Sequence, residues 1–63
     1  MNKQDLIKSM RAEFRAAHYP SYKELAKSAA RYHGLTQTIN GVEVIPKVAY
    51  EAASEAILLE TGA

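Results

Sequence analysis

The chain has 63 residues, of which 48% are hydrophobic and 24% charged, with a formal net charge of +1 and no cysteine. This composition is typical of a globular domain, and the lack of cysteine excludes disulfides and thiolate metal sites. At this length one core barely offsets the chain entropy lost on folding, which leaves oligomerisation as a means of stabilisation. The segment MNKQDLIKSM lacks the apolar stretch of a signal peptide, so we expect a cytoplasmic protein without membrane contact.

The first predicted element is an amphipathic helix over residues 3–17. Its apolar side chains share one sector of the helix roughly 100° wide. They are Leu6, Ile7, Met10, Phe14 and Ala17. Pro20 follows, and a residue before proline is displaced from the helical region, so the helix ends there.

A second helix is predicted over residues 21–33. Ser21 and Glu24 form the spacing of a capping box, in which each side chain satisfies a backbone donor of the first turn. Gly34 supplies the left-handed residue that ends the helix. The predicted inward face consists of Tyr22, Leu25, Ala26, Ala29 and Tyr32.

Residues 36–45 are mostly β-branched and contain the pair Asn40-Gly41, which is typical of a type I′ hairpin turn. We favour a short hairpin that lies on the helices through Ile39, Val42 or Val44, because two short strands are marginal alone. The alternative is a structured loop with a tight turn. Either way, the sequence predicts a mainly α fold, a single domain of three helices with this segment between helices two and three.

The third helix is predicted over residues 46–60, with Pro46 at its first position and Gly62 beyond its end. Its apolar residues exceed one face. One sector holds Val48, Ala49, Ala52, Ala56 and Leu59, and the second holds Tyr50, Ala53 and Ile57, with Leu58 apart. Such excess apolar surface usually marks an interface. We therefore expect a homodimer built around Tyr50, Ala53, Ile57 and Leu58, the alternative being a third helix enclosed between helix one and the hairpin.

Charge is divided unevenly along the chain. Residues 1–33 carry seven basic and three acidic side chains, and residues 34–63 carry one basic and four acidic. The basic residues form two helical stripes: Lys8, Arg11 and Arg15 on helix one, and Lys23, Lys27 and Arg31 on helix two. If both stripes face one side, they form a cationic flank that could bind an acidic protein or phosphates. The plain alternative is a solvated face.

Nucleic-acid binding is the weaker interpretation of this flank. The stretch KELAKSAARYHGLTQTIN has features of a helix-turn-helix, but Ile39 lies one place off the required apolar register and Asn40-Gly41 would end the recognition helix early. The isoelectric point near 8.1 is also low for a nucleic-acid-binding domain.

The sequence offers little for catalysis, and we expect neither an enzyme nor a cofactor. His18 and His33 both lie at helix ends, where a capping role is the simpler interpretation. There is no HExxH motif, and no serine stands at a telling distance from a histidine in the sequence. Four tyrosines are typical interface anchors, although we expect Tyr22 and Tyr32 to pack in the core.

The segment MNKQDLIKSMRAEFRAA followed by a capped second helix, in a cysteine-free chain of this length, resembles the small accessory proteins encoded in early regions of temperate, lambda-like bacteriophages. The resemblance is carried by length and composition across the whole chain and transfers no site residues. It implies a regulator that binds host or phage macromolecules. The leading hypothesis is thus a homodimeric interaction protein with a host or phage protein as partner, and the alternative is a DNA-binding transcriptional regulator.

Overall fold

A computed structural model of the chain, which describes residues 2–62, contains three helices and one antiparallel hairpin. The elements in chain order are α1 (Lys3–Ala17), α2 (Tyr22–Tyr32), β1 (Gln37–Ile39), β2 (Val42–Val44) and α3 (Lys47–Thr61). The predicted mainly α fold is confirmed, and the hairpin, not an irregular loop, lies between α2 and α3. No helix within residues 2–62 is long and apolar enough to cross a membrane.

The helix starts follow local side-chain chemistry. The Ser21 hydroxyl accepts a hydrogen bond from the backbone N–H of Glu24 at 3.4 Å, which is the serine half of the predicted capping box. Asn2 caps α1 in the same way, accepting from the N–H of Asp5 at 2.8 Å. Pro46 precedes α3 as its cap residue, with ψ at 150°, so the helix begins one residue later than predicted.

Two helix ends are closed by glycines in the left-handed region. After α2, Gly34 has φ of 68°, Leu35 N–H donates to the Ala30 carbonyl at 2.8 Å, and Gly34 N–H donates to the Arg31 carbonyl at 3.3 Å. This pair of bonds is a Schellman motif, as the glycine predicted. Gly62 ends α3 with φ of 72°.

The core is formed where α3 packs against both α1 and α2. Its large, fully buried side chains are Leu6, Met10 and Leu25. The inward face of α3 is made of alanines alone: Ala49, Ala52, Ala53 and Ala56. Because alanine side chains are short, α3 can lie close to its two neighbours, and larger residues are displaced to the flanks of the helix.

The inward face predicted for α2 and the first apolar sector of α3 are each only partly buried. Tyr32 is 82% exposed and Tyr22 is 41% exposed, while the core face of α2 continues through Ala30 instead. On α3, Val48 and Leu59 are 38% and 56% exposed.

The hairpin has the predicted turn, but of the three residues expected to hold it on the helices only Val44 is half-buried. Asn40 and Gly41 have φ of 52° and 78°, as a type I′ turn requires. Ile39 and Val42 face each other across the strands and are 53% and 62% exposed, so they do not lie on the helices. Glu43, on the opposite face of the strands, is instead bound to Arg31 of α2, and alternation of side chains turns Ile39 and Val42 to solvent.

Candidate interaction surfaces

The face of α3 opposite its alanines is open to solvent. Its residues recur at intervals of four and three, which places them in one stripe along the helix. This α3 outer stripe consists of Lys47, Glu51, Ser54, Leu58 and Thr61. Tyr50 and Ile57 flank the stripe on one side and are half-buried.

An apolar groove runs beside the α3 outer stripe. Near the end of α3 it has a volume of about 420 Å³, and its apolar walls are Phe14, Tyr19, Pro20, Tyr22, Ile57 and Leu58. Towards the start of α3 it opens into a space of about 570 Å³ that shares Tyr22 and Ser54. The other walls of this space are Tyr50 and four charged side chains, Lys3, Lys47, Glu51 and Glu55. Tyr22 and Tyr50 stand edge to face in its wall, with ring centroids 6.2 Å apart. Open surface depressions thus follow α3 from Lys47 to Thr61, and the apolar groove is the part near the end of the helix.

The structure brings three of the four predicted interface residues to these depressions. Tyr50 lines the space near the start of α3. Ile57 lines the apolar part near the end of α3, where Leu58 is 51% exposed. Ala53 is fully buried in the subunit's own core, so its predicted place in an interface is wrong. The neighbouring Ser54 occupies the centre of the exposed stripe instead. Leu59 borders a different groove, with Ile7 and Lys8.

The basic stripe of α1 is partly neutralised by α3, where one carboxylate binds two of its three cations. Glu60 accepts from Arg11 Nε at 2.6 Å and from Arg15 at 2.8 Å. The hydrogen bond from Arg11 holds the pKa of the Glu60 carboxyl below its ordinary value of 4.5. Lys8 makes no ion pair within residues 2–62.

The basic stripe of α2 is neutralised only at its end. Arg31 donates to both carboxylate oxygens of Glu43, at 2.6 and 3.1 Å. This bidentate pair lowers the pKa of Glu43 and raises that of Arg31. Lys23 is exposed and Lys27 half-buried, and neither makes an ion pair in the described part of the chain.

The two stripes do not form one cationic flank. The side of α1 that faces α2 carries Ser9 and Glu13, which bind His33 and Ser28 respectively. Arg11 and Arg15 leave α1 on the other side and reach α3. The predicted flank of Lys8, Arg11, Arg15, Lys23, Lys27 and Arg31 is therefore divided into two separate surfaces.

A polar cluster between α1 and α2 was not foreseen from the sequence. The Glu13 carboxylate accepts from the hydroxyls of Tyr19 and Ser28, each at 2.6 Å, and those hydroxyls lie 3.0 Å apart. The hydrogen bond to Glu13 raises the pKa of the Tyr19 phenol above its ordinary value of 10. The cluster joins the loop before α2 to both helices.

Ser9 and His33 lie close together although 24 residues separate them in the sequence. The Ser9 hydroxyl is 2.9 Å from His33 Nε2. Ser9 lies within α1, where backbone N–H groups are used in helical hydrogen bonds and cannot stabilise an oxyanion. The pair therefore connects α1 to the end of α2, and we assign it no nucleophilic role.

No group of three histidine, aspartate or glutamate side chains within residues 2–62 is placed to hold a metal ion. Comparison of the chain with protein-family models, with curated proteins and with solved structures found no match.

Proposed function

We propose that this protein is a small, non-enzymatic regulator of the phage-accessory kind, which acts in the cytoplasm by binding another macromolecule as a homodimer. The observation that carries the proposal is Leu58, 51% exposed beside an apolar groove near the end of α3. Two subunits that meet here would cover apolar surface that one subunit leaves open to water.

Energetics favour this use of the groove. Within residues 2–62 only Leu6, Met10 and Leu25 are large and fully buried, so the core of a single subunit is small. Burying the half of Leu58 that is still exposed contributes about 1 kcal/mol in each copy, and a twofold contact buries this residue in both copies. That is a considerable share of the stability expected for so small a domain.

Sedimentation equilibrium tests the homodimer. We expect twice the chain mass of 7.0 kDa at high protein concentration, and a shift to the monomer on Ile57→Glu, which places a charge in the groove. A wild-type protein that remains monomeric over the whole accessible concentration range would refute the proposal.

The partner surface that we propose is the outer side of α2 together with the hairpin. Lys23 and Lys27 offer positive charge on α2, and Ile39 and Val42 offer exposed apolar surface on the strand face turned away from Glu43. A host or phage protein with an acidic surface for α2 and an apolar one for the hairpin has the complementary chemistry. Affinity capture tests this surface with the wild type, the double variant Lys23→Glu/Lys27→Glu and the control Lys8→Glu. We expect the wild type and Lys8→Glu to retain the same partner and the double variant to lose it.

DNA binding is a second candidate, favoured by the position of Lys23 and Lys27 on one side of α2 without an ion pair in the described residues. Against it, Arg11, Arg15 and Arg31 are engaged by carboxylates, so few cations remain for phosphates. A mobility shift that weakens steeply with salt and is lost on Lys23→Ala/Lys27→Ala would support it. No shift at about 50 mM salt would exclude it.

A further inference from the structure

We infer that the occupant of the apolar groove is α3 of a second copy, running antiparallel to the first and crossing it at Ser54. The inference rests on the proposed homodimer and adds the geometry of the contact. Three observations on α3 carry it: the position of Ser54, the distribution of charge along the helix, and the spacing of Glu51.

Ser54 stands at the centre of the α3 outer stripe. Lys47 and Thr61 lie seven residues to either side of it, and Tyr50 and Leu58 lie four residues to either side. An antiparallel twofold through Ser54 therefore places Tyr50 of one copy opposite Leu58 of the other, in both halves of the contact. The serine side chain is small, so the two helices can approach closely where they cross.

The charges of α3 run against its own dipole. Its first turn has no acidic residue and its last turn has no basic residue, while Lys47 begins the helix and Glu60 lies near its end. Glu60 is neutralised by Arg11 and Arg15, but Lys47 makes no ion pair within residues 2–62. An antiparallel copy brings Lys47 beside Thr61, at the negative end of the other helix, where a cation is stabilised.

In a parallel arrangement, like charges would repel each other at two positions along α3, Lys47 and Glu51. It would bring two Lys47 ammonium groups together beside two positive helix ends. It would also set the two Glu51 carboxylates opposite each other, whereas the antiparallel arrangement separates them by about 9 Å along the helix axis. Charge complementarity thus selects a second, antiparallel α3 as the occupant.

Cysteine cross-linking tests this geometry directly, because the chain has no cysteine of its own. Under mild oxidation, Ser54→Cys should form a disulfide-linked dimer, and Lys47→Cys/Thr61→Cys should do the same while Lys47→Cys alone does not. Lys8→Cys on α1 measures random collision, and we expect it to cross-link at least about tenfold more slowly, since it lacks the effective concentration that the interface provides.

The outcomes separate this inference from the proposed function. If the wild type sediments as a dimer but Lys47→Cys alone cross-links, or Ser54→Cys does not, the antiparallel contact is overturned and the homodimer remains. If the wild type is a monomer and none of the variants cross-links faster than Lys8→Cys, both are overturned.

Discussion

Glu60 of α3 accepts a hydrogen bond of 2.6 Å from Arg11 of α1, and the two residues are 49 positions apart in the chain. The Glu60 side chain is only 12% exposed, and Arg15 donates to the same oxygen at 2.8 Å. The positive first half of the chain thus binds the negative second half within the subunit. This pairing uses cations that would otherwise be available to an acidic partner.

Stability should therefore depend on pH in the acidic range. Because the pKa of Glu60 is lower in the folded protein than its ordinary value of 4.5, its contribution is complete above that value and is lost as the pH falls through the folded-state pKa. We expect Glu60→Gln to lower the free energy of unfolding at neutral pH and to reduce its decline in acid, measured by urea denaturation. Glu51→Gln, on the same helix and without an ion pair in the described residues, is the control. Equal acid dependence in both variants would contradict this account.

The Tyr19 hydroxyl should contribute measurably to stability, since it joins Glu13 and Ser28 between two helices. Tyr19→Phe removes only the oxygen, and we expect a loss of about 1 kcal/mol in the free energy of unfolding. Tyr32→Phe is the matched control, because Tyr32 is 82% exposed and its hydroxyl makes no hydrogen bond within residues 2–62. If the two variants have the same stability, the cluster does not stabilise the fold.

Local chemistry in the sequence was sufficient to predict the elements. Ser21 caps α2, Gly34 ends it, and Asn40-Gly41 forms the hairpin turn, because each of these depends only on neighbouring backbone. The element boundaries differ from those predicted by about one residue at α2 and α3.

What the sequence did not predict depends on distant contacts. Helical periodicity divided the apolar residues of α3 into two sectors, but could not tell that its four alanines would face inward and leave Leu59 outside. The bonds from Arg11 to Glu60 and from Ser9 to His33 join residues far apart in the chain, so no local pattern could indicate them. The hairpin was expected to pack its apolar side chains on the helices. Instead, Glu43 on the opposite strand face binds Arg31 of α2, and Ile39 and Val42 are exposed.

Replacing His18 with glycine should stabilise the protein. His18 ends α1 with φ of 51°, in the left-handed region where a side chain is unfavourable and glycine is not. Removing the left-handed strain should gain roughly 1–2 kcal/mol, and the more flexible unfolded chain should cost roughly 0.4–1 kcal/mol. We therefore expect His18→Gly to raise the free energy of unfolding by about 0.5–1 kcal/mol, measured by urea denaturation. His33→Gly is the control, since His33 has φ of −90° and its ring binds Ser9, so this variant should lose stability. A loss of stability in His18→Gly would show that its contact with Phe14 outweighs the strain.

The most direct test of the account compares two adjacent leucines of α3. Leu58 and Leu59 are 51% and 56% exposed, but only Leu58 borders the apolar groove. We predict by sedimentation equilibrium that Leu58→Glu raises the dimer dissociation constant about 100-fold or more, because it buries a charge in the contact, while Leu59→Glu changes it less than about threefold. Equal effects of the two substitutions, or a larger effect at Leu59, would show that the subunits do not meet through this groove.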